Sequence, residues 1–314
     1  MRRYIITRVA IAALTLLAIL FILFLLMEFL PGSPFNDEKL SDAQRAIISA
    51  KYGLDRPMMV RFLNYIKNML TGDFGVSYAI SKNTPITDLL KTRLPVSIRL
   101  GGQAVVTGAV LGLLLGLVAA IKHNTWVDPV MTIISVLGIS IPSYVFALGL
   151  SYLLGFKAGW FPMLYQQQRA FRSTVLPTIS LAMFTMATVA RFTRTEMLEV
   201  LDSDYMQLAE TKGVGGFNLI FRHALRNALI PIITVLAPLI VGLMTGSLVI
   251  EKIFSIPGIG QLLVNAIQSN DYNVIATLSF LYSLMYIGIM LVVDILYGVI
   301  DPRIRLTKGD VALD

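Results

Sequence analysis

Apolar side chains in this chain gather into six long blocks, with polar and turn-forming residues between them. The blocks are Val9 to Leu30, Leu100 to Ile121, Val130 to Phe156, Val175 to Ala190, Ala228 to Ile250 and Val274 to Val293. A helix needs about 20 apolar residues to cross the hydrocarbon of a bilayer. The pattern predicts an all-α polytopic membrane protein with six transmembrane helices. Pro142, Pro177, Pro231 and Pro238 fall inside blocks, where neighbouring helices can re-satisfy the carbonyls that proline frees. The first block is broken only by Thr15 and Glu28 and follows Arg2, Arg3 and Arg8. It is too long for a cleaved leader, and no small-x-small site follows it, so it reads as a signal anchor. The fourth helix is expected to run on through Arg191, Arg194 and Glu196 into water.

Residues 31–95 differ in pattern. Charges are frequent, and turn clusters recur at 31–34, 52–57 and 72–75. Ser41 to Tyr52 and Met58 to Leu70 show helical apolar spacing, with Ser41 and Asp42 as caps for the first. This reads as a small folded extracytoplasmic segment, too short and polar to span.

Composition sharpens the picture. Charged residues are 14% of 314, against about 25% in soluble domains, and the mean hydropathy is +0.73. Those values exclude a disordered chain and argue against a water-soluble enzyme. The net charge of +7 is explained by basic residues beside spans, which gather on the cytoplasmic side, and nothing calls for nucleic acid. With the N-terminus inside, the inner segments carry Arg2, Arg3, Arg8, Lys122, Arg191, Arg194, Lys212, Arg222, Arg226, Arg303, Arg305 and Lys308. The short outer loops carry only Lys157, Arg169, Arg172 and Lys252. Both termini are therefore expected in the cytoplasm. The chain has no cysteine, so thiol and disulfide chemistry is excluded.

No catalytic residues and no metal site are expected. His123 and His223 stand far apart without ligand-spaced partners and read as interface or surface residues. Ser135, Ser140 and Ser143 have no histidine on a shared helix. Glu28 and Asp294 are read as the only acidic residues close to a span, and such residues are candidates for ion coupling. Both sit near span ends, where water or a basic group is in reach, and Asp294 is expected to order the turn near Asp301-Pro302-Arg303. Gln103, Thr107, Thr185, Thr188, Thr245 and Ser247 fit either a polar solute path or interhelical hydrogen bonds. Gly108, Gly112 and Gly116 recur every four residues and give one helix a face that a neighbour can approach closely. A phosphate-binding loop needs Gly-Lys-[Ser/Thr], and the chain contains no Gly-Lys dipeptide.

The longest cytoplasmic loop covers about residues 191–227, and by composition alone it reads as a connecting loop. Ser203 or Asp204 caps a short helix over Tyr205 to Lys212, and Gly213, Gly215 and Gly216 stop it. A second helix runs from about Phe217 into the fifth span. Ala209 and the Gly213 turn are expected to let another protein's surface come close. Ala209-x-x-x-Gly213 followed by HALRNALIP resembles the loop of the permease subunits of ATP-binding-cassette importers. The general signature begins Glu-Ala-Ala, where this chain has Gln207, Leu208 and Ala209, and Pro231 lies further from Gly213 than the signature has it.

Further pieces follow in that family's order: LPGSP at 30–34, YGLDRP at 52–57, GDFGVS at 72–77 and RLPVSIRL at 93–100. Glu251-x-x-Phe254-x-x-Pro257-Gly258-Ile259-Gly260 and DPRIR at 301–305 complete the set. The chain is similar to the oligopeptide/dipeptide (peptide and nickel) branch, and to its first, longer permease. The resemblance implies a type I importer permease fold. Its divisions are an N-terminus and first helix over 1–30, an extracytoplasmic segment over 31–95, a permease core over 96–300 and a tail over 301–314. It implies a coupling segment Leu208, Ala209, Glu210, Thr211, Lys212 and Gly213, of which only Ala209 and Gly213 match the signature. It implies a gate-like outer loop containing Glu251, Phe254, Pro257, Gly258 and Gly260.

The implied partners are a second, similar permease, two ATPase subunits that bind ATP and Mg, an extracytoplasmic peptide-binding protein and membrane lipid. The expected function is ATP-driven peptide import across a bacterial cytoplasmic membrane by alternating access. Nickel is the alternative cargo, and a gradient-driven secondary transporter is the rival from another class.

Overall fold

A computed structural model describes residues 2–29, 55–244 and 248–300 of the chain. The expected helix over Ser41 to Tyr52, the sequence pieces at 30–34 and 301–305, and Thr245 and Ser247 lie outside the described residues. The helices are α1 (Arg2–Phe29), α2 (Met58–Thr71), α3 (Ile86–Ile121), α4 (Val127–Ser140), α5 (Ser143–Leu150) and α6 (Ala170–Leu201). They are followed by α7 (Asp204–Thr211), α8 (Leu225–Met244), α9 (Leu248–Ile253), α10 (Ile259–Gln268) and α11 (Tyr272–Ile300). Among the described residues four helical stretches are long and apolar enough to cross a membrane, or up to six when each of two bent pairs is taken as one span.

Six spans were expected, and the third and fifth of them are bent. The third block breaks between α4 and α5, whose axes differ by 102°. Pro142 has no N–H to donate and pushes Ile141 to extended backbone, at φ −83° and ψ 120°. The chain restarts with α5 and a π-helical turn at Ser151–Lys157. The fifth block bends by 43° at Pro231, after a π-helical turn at Leu219–Ala224.

Residues 1–95 and 257–314 form one compact unit, and 96–256 another; the division falls inside α3, after Pro95. In the first unit α3 starts at Ile86, well before the block at Leu100. Charged Asp88, Lys91, Arg93 and Arg99 hide this helix from a hydropathy reading. Its buried Ile86 and Leu90 nevertheless recur at helical spacing and pack with Ile259, Leu262, Val274 and Leu278. Leu20 of α1, Met69 of α2 and Phe280 of α11 share a second cluster.

Residues 75–86 form a tight loop, with Val76 paired to Pro85 and the Ser77 N–H bonded to the Thr84 carbonyl at 3.0 Å. The loop wraps the buried Asp271. Asp271 Oδ2 accepts from Ser77 Oγ at 2.5 Å and from the N–H groups of Tyr78, Ala79 and Ile80 at 3.0, 2.9 and 3.1 Å.

Helix α1 is tied near both ends. Arg8 pairs with Asp294 at 2.8 Å, and Arg61 forks onto both oxygens of Glu28 at 2.7 Å. At 1.5 Å per residue, Arg8 and Glu28 stand about 30 Å apart along the helix, the thickness of the hydrocarbon layer. Asp294 is thus held by Arg8, and Arg303, its expected neighbour in the C-terminal turn, lies outside the described residues.

The second unit is built on α6. The three glycines of α3 lie against it in register. A methyl group at Gly108 would meet the Ala182 carbonyl at 2.9 Å, at Gly112 the Met186 carbonyl at 2.6 Å, and at Gly116 the Ala190 carbonyl at 2.5 Å. Thr185 is buried against Gly108 in this contact, and Gln103 accepts from Thr178 at 3.4 Å. Gly138 brings α4 equally close to Ala187.

Candidate functional site

The loop between the fourth and fifth blocks folds from its ends inward. Helix α6 continues to Leu201, and Asp202 and Ser203 turn the chain into α7. Ser203 occupies the N-cap position but does not cap α7; its hydroxyl instead donates to the Val200 carbonyl at 2.5 Å. At the far end Gly213 adopts φ +81°, a conformation that L side chains resist. Its N–H donates to the Glu210 carbonyl at 2.9 Å, and Val214 donates to Ala209 at 3.1 Å, closing the helix. Nothing lies within 4 Å of where a Gly213 side chain would begin.

Helix α7 is two-faced. Met206 is 2% exposed and packs in one core with Met197 of α6, Leu117 and Ala120 of α3, and Leu219 and Ala224 of the π-helical turn. Ala209 packs against the same core. Its small side chain is half-buried there. Tyr205, Leu208, Glu210, Thr211 and Lys212 point outward. Beyond the Gly213 turn, Phe217 and Phe221 stack at 4.1 Å, and Phe217 is 71% exposed. Tyr205, Leu208 and Phe217 together give this end of the unit an exposed apolar surface among charges.

The same end holds an ion cluster that sequence reasoning missed. Asp128, in the first turn of α4, has its side chain 9% exposed. Arg194 of α6 donates to both its oxygens, Nε to Oδ1 at 2.5 Å and Nη2 to Oδ2 at 2.7 Å. His123, in the α3–α4 turn, adds its Nδ1 at 2.9 Å from Oδ2. Asp128 lies two residues before Val130, so Glu28 and Asp294 are not the only acidic residues beside a span. The signal was present: an acidic residue at a block edge, with an arginine past the end of another block.

The stretch 251–260 is mostly buried. Glu251 is fully enclosed in the second unit, where Ser97 Oγ donates to it at 2.7 Å. Phe254, one turn on, is fully buried with Leu100, Leu176 and Ile250, and its carbonyl accepts from the Tyr165 N–H at 2.8 Å. Gly258 and Gly260 are buried in the first unit, where Gly258 leads into α10, while Pro257 is exposed. Buried Ile259, Leu262 and Ala266 set the inner face of that amphipathic helix. An exposed hairpin does not describe this stretch.

No group of three His, Cys, Asp or Glu side chains arranged for a metal occurs among the described residues. Glu28 and Asp294, the candidates for ion coupling, are each committed to an arginine.

With this geometry established, comparisons decide the family. Residues 112–306 match the family described as binding-protein-dependent transport system inner membrane component, and residues 1–101 match the N-terminal part of such membrane components. The chain belongs to this permease family. It is 42% identical over 306 residues to a dipeptide transport system permease of Lactococcus lactis, covering 98% of this chain and all of the relative. It is 41% identical to the corresponding dipeptide permease of Bacillus subtilis, over 98% of this chain and 99% of that one. An oligopeptide transport system permease of Escherichia coli is 38% identical, over 97% of this chain and all of the relative. A crystal structure of an amino acid ABC transporter with histidines aligns with a TM-score of 0.54 at 15% identity, covering 67% of this chain and 94% of that one. That likeness concerns the fold. This chain is thus an integral membrane protein of the oligopeptide/dipeptide permease type.

Proposed function

We propose that this chain is one permease subunit of an ATP-driven importer of short peptides, and that α7 is the lever through which separate ATPase subunits drive it. The observation that carries the reading is the two-faced geometry of α7. Met206 and Ala209 root it in the core of its own unit, while Tyr205, Leu208 and Lys212 face outward. A rooted helix with a presented face can receive a push and pass it on. The chain carries no Gly-Lys phosphate-binding signature, so ATP and Mg would be bound by the partner subunits. Full-length similarity to dipeptide and oligopeptide permeases supports peptide as the cargo.

The basic-residue asymmetry supports a cytoplasmic side for both termini and α7. ATP binding draws the two ATPase subunits together and moves α7 with them. A second, similar permease moves in concert, and the cargo path opens outward to a peptide-binding protein. Hydrolysis restores the inward-facing form, so the cycle is a population shift between two conformations. Glu251, Phe254 and the Pro257–Gly260 stretch act as the outer gate.

The test is Gly213→Trp in the purified complex. At φ +81° any side chain is strained, and the exposed position directs an indole at the partner. Membrane insertion is expected to be intact while stimulated ATP hydrolysis and uptake of a labelled dipeptide are lost. Normal uptake by the variant would refute the reading.

A further inference from the structure

Helices α3 and α4 pack against α6 through the close approaches at Gly112, Gly116 and Gly138 and through Leu117 and Ala120, which share a core with Met197. Those contacts are short-range packing. The Asp128 cluster differs in kind. A guanidinium meeting a carboxylate through two parallel bonds fixes both distance and angle. Arg194 stands one turn before the buried Met197, and Met197 shares its core with Met206 of α7. The cluster therefore sits at the root of α7, across α4 and α6, with His123 joining it from the turn itself.

Stability alone does not account for it, because an enclosed ion pair is often no more stabilising than apolar side chains of the same size. We infer that Asp128 and Arg194, with His123 beside them, are positioning residues that make the α3–α4 turn travel with α7. A push on α7 then turns α3, α4 and the end of α6 as one piece. Without the fork, packing alone carries the push, and the α3–α4 hairpin follows α6 less closely. The inference rests on the proposed role of α7.

The experiment measures ATP hydrolysis and uptake of radiolabelled dialanine by the whole complex in proteoliposomes, and reads their ratio. Asp128→Asn keeps the size of the side chain and removes its charge; Arg194→Ala removes the fork. Each is expected to leave the complex assembled and hydrolysing while dialanine taken up per ATP falls at least about fivefold, the lower end of typical coupling between sites. The exchange Asp128→Arg with Arg194→Asp is expected to recover most of the ratio. The chain has no cysteine, so Asp128→Cys with Arg194→Cys, bridged by a bifunctional thiol reagent, gives a second arm. The bridged protein is expected to regain coupling that its reduced form lacks.

A ratio unchanged in both single variants overturns the inference, as does a proportional fall in hydrolysis and uptake with no recovery in the exchange or the bridged pair. The two readings fail separately. If α7 is not the lever, Gly213→Trp transports normally; if only the clamp is wrong, Gly213→Trp blocks transport and Asp128→Asn leaves the ratio intact.

Discussion

Asp271 and Asp128 are both enclosed carboxylates, in different units of the molecule, and their partners differ in kind. Asp271 receives three backbone N–H groups and a hydroxyl from the single loop 77–80. Those donors are fixed by the path of the chain and cannot turn away without unfolding the loop. Asp128 receives a guanidinium and an imidazole from long side chains on two other elements. Such donors can rotate, release and return. The first arrangement builds a permanent structure; the second suits a joint that must stay registered while helices move. One carboxylate belongs to the scaffold and the other to the moving parts.

The harshest way to break that contrast is Asp271→Ala. It strands three part-buried N–H groups and the buried Ser77 hydroxyl, at about 1–3 kcal/mol for each unsatisfied buried group and less where water reaches. The cost is on the order of 5 kcal/mol, enough to cancel the stability of many domains. Yield and the midpoint of thermal unfolding in detergent are expected to collapse. Asp271→Asn keeps one carbonyl oxygen for the same donors and is expected to lose much less. Equal losses in the two variants would show that charge, and not the row of backbone donors, is what matters there.

Next in size is Met206→Ala, which empties a buried site beneath α7. Truncating a buried methionine costs about 2–5 kcal/mol when the site cannot collapse. At a short surface helix the expected loss is local. α7 should loosen while the packing of α3 on α6 persists. Trypsin cleavage after the exposed Lys212 is expected to speed up, with little change in the overall unfolding midpoint. If cleavage is unchanged, α7 is not rooted through Met206.

Much of this division was legible before any coordinates. The blocks locate the spans because a bilayer demands length and apolarity together, and Gly213 announces a helix stop because a positive φ suits glycine. Three features escaped. The early start of α3 was masked by Asp88, Lys91 and Arg93, since hydropathy averages over a helix that buries only one side. The break at Ile141–Pro142 was read as a tolerated proline, because one sequence does not say whether neighbours re-satisfy the freed carbonyl. The Asp128–Arg194 pair joins residues 66 positions apart, and no local pattern reports a long-range ion pair.

The ion pairs at the ends of α1 extend the contrast to a third class. Arg8–Asp294 and Arg61–Glu28 leave side chains between 22% and 32% exposed. Water competes for such pairs, and their worth is roughly 1 kcal/mol or less. Arg61→Gln and Glu28→Gln are therefore expected to lower the unfolding midpoint only slightly, and Asp294→Asn likewise. The small stability effect makes these variants a clean probe of mechanism. A gradient-driven carrier would route its ion through an intramembrane carboxylate, and neutralising that group would stop transport outright. An importer worked through α7 takes no ion through α1. Near-normal dialanine uptake by Glu28→Gln and Asp294→Asn, beside a lost ratio in Asp128→Asn, would assign the moving role to the one carboxylate held across α4 and α6. Abolished uptake in either α1-end variant, with the complex assembled, would return the gradient mechanism to contention.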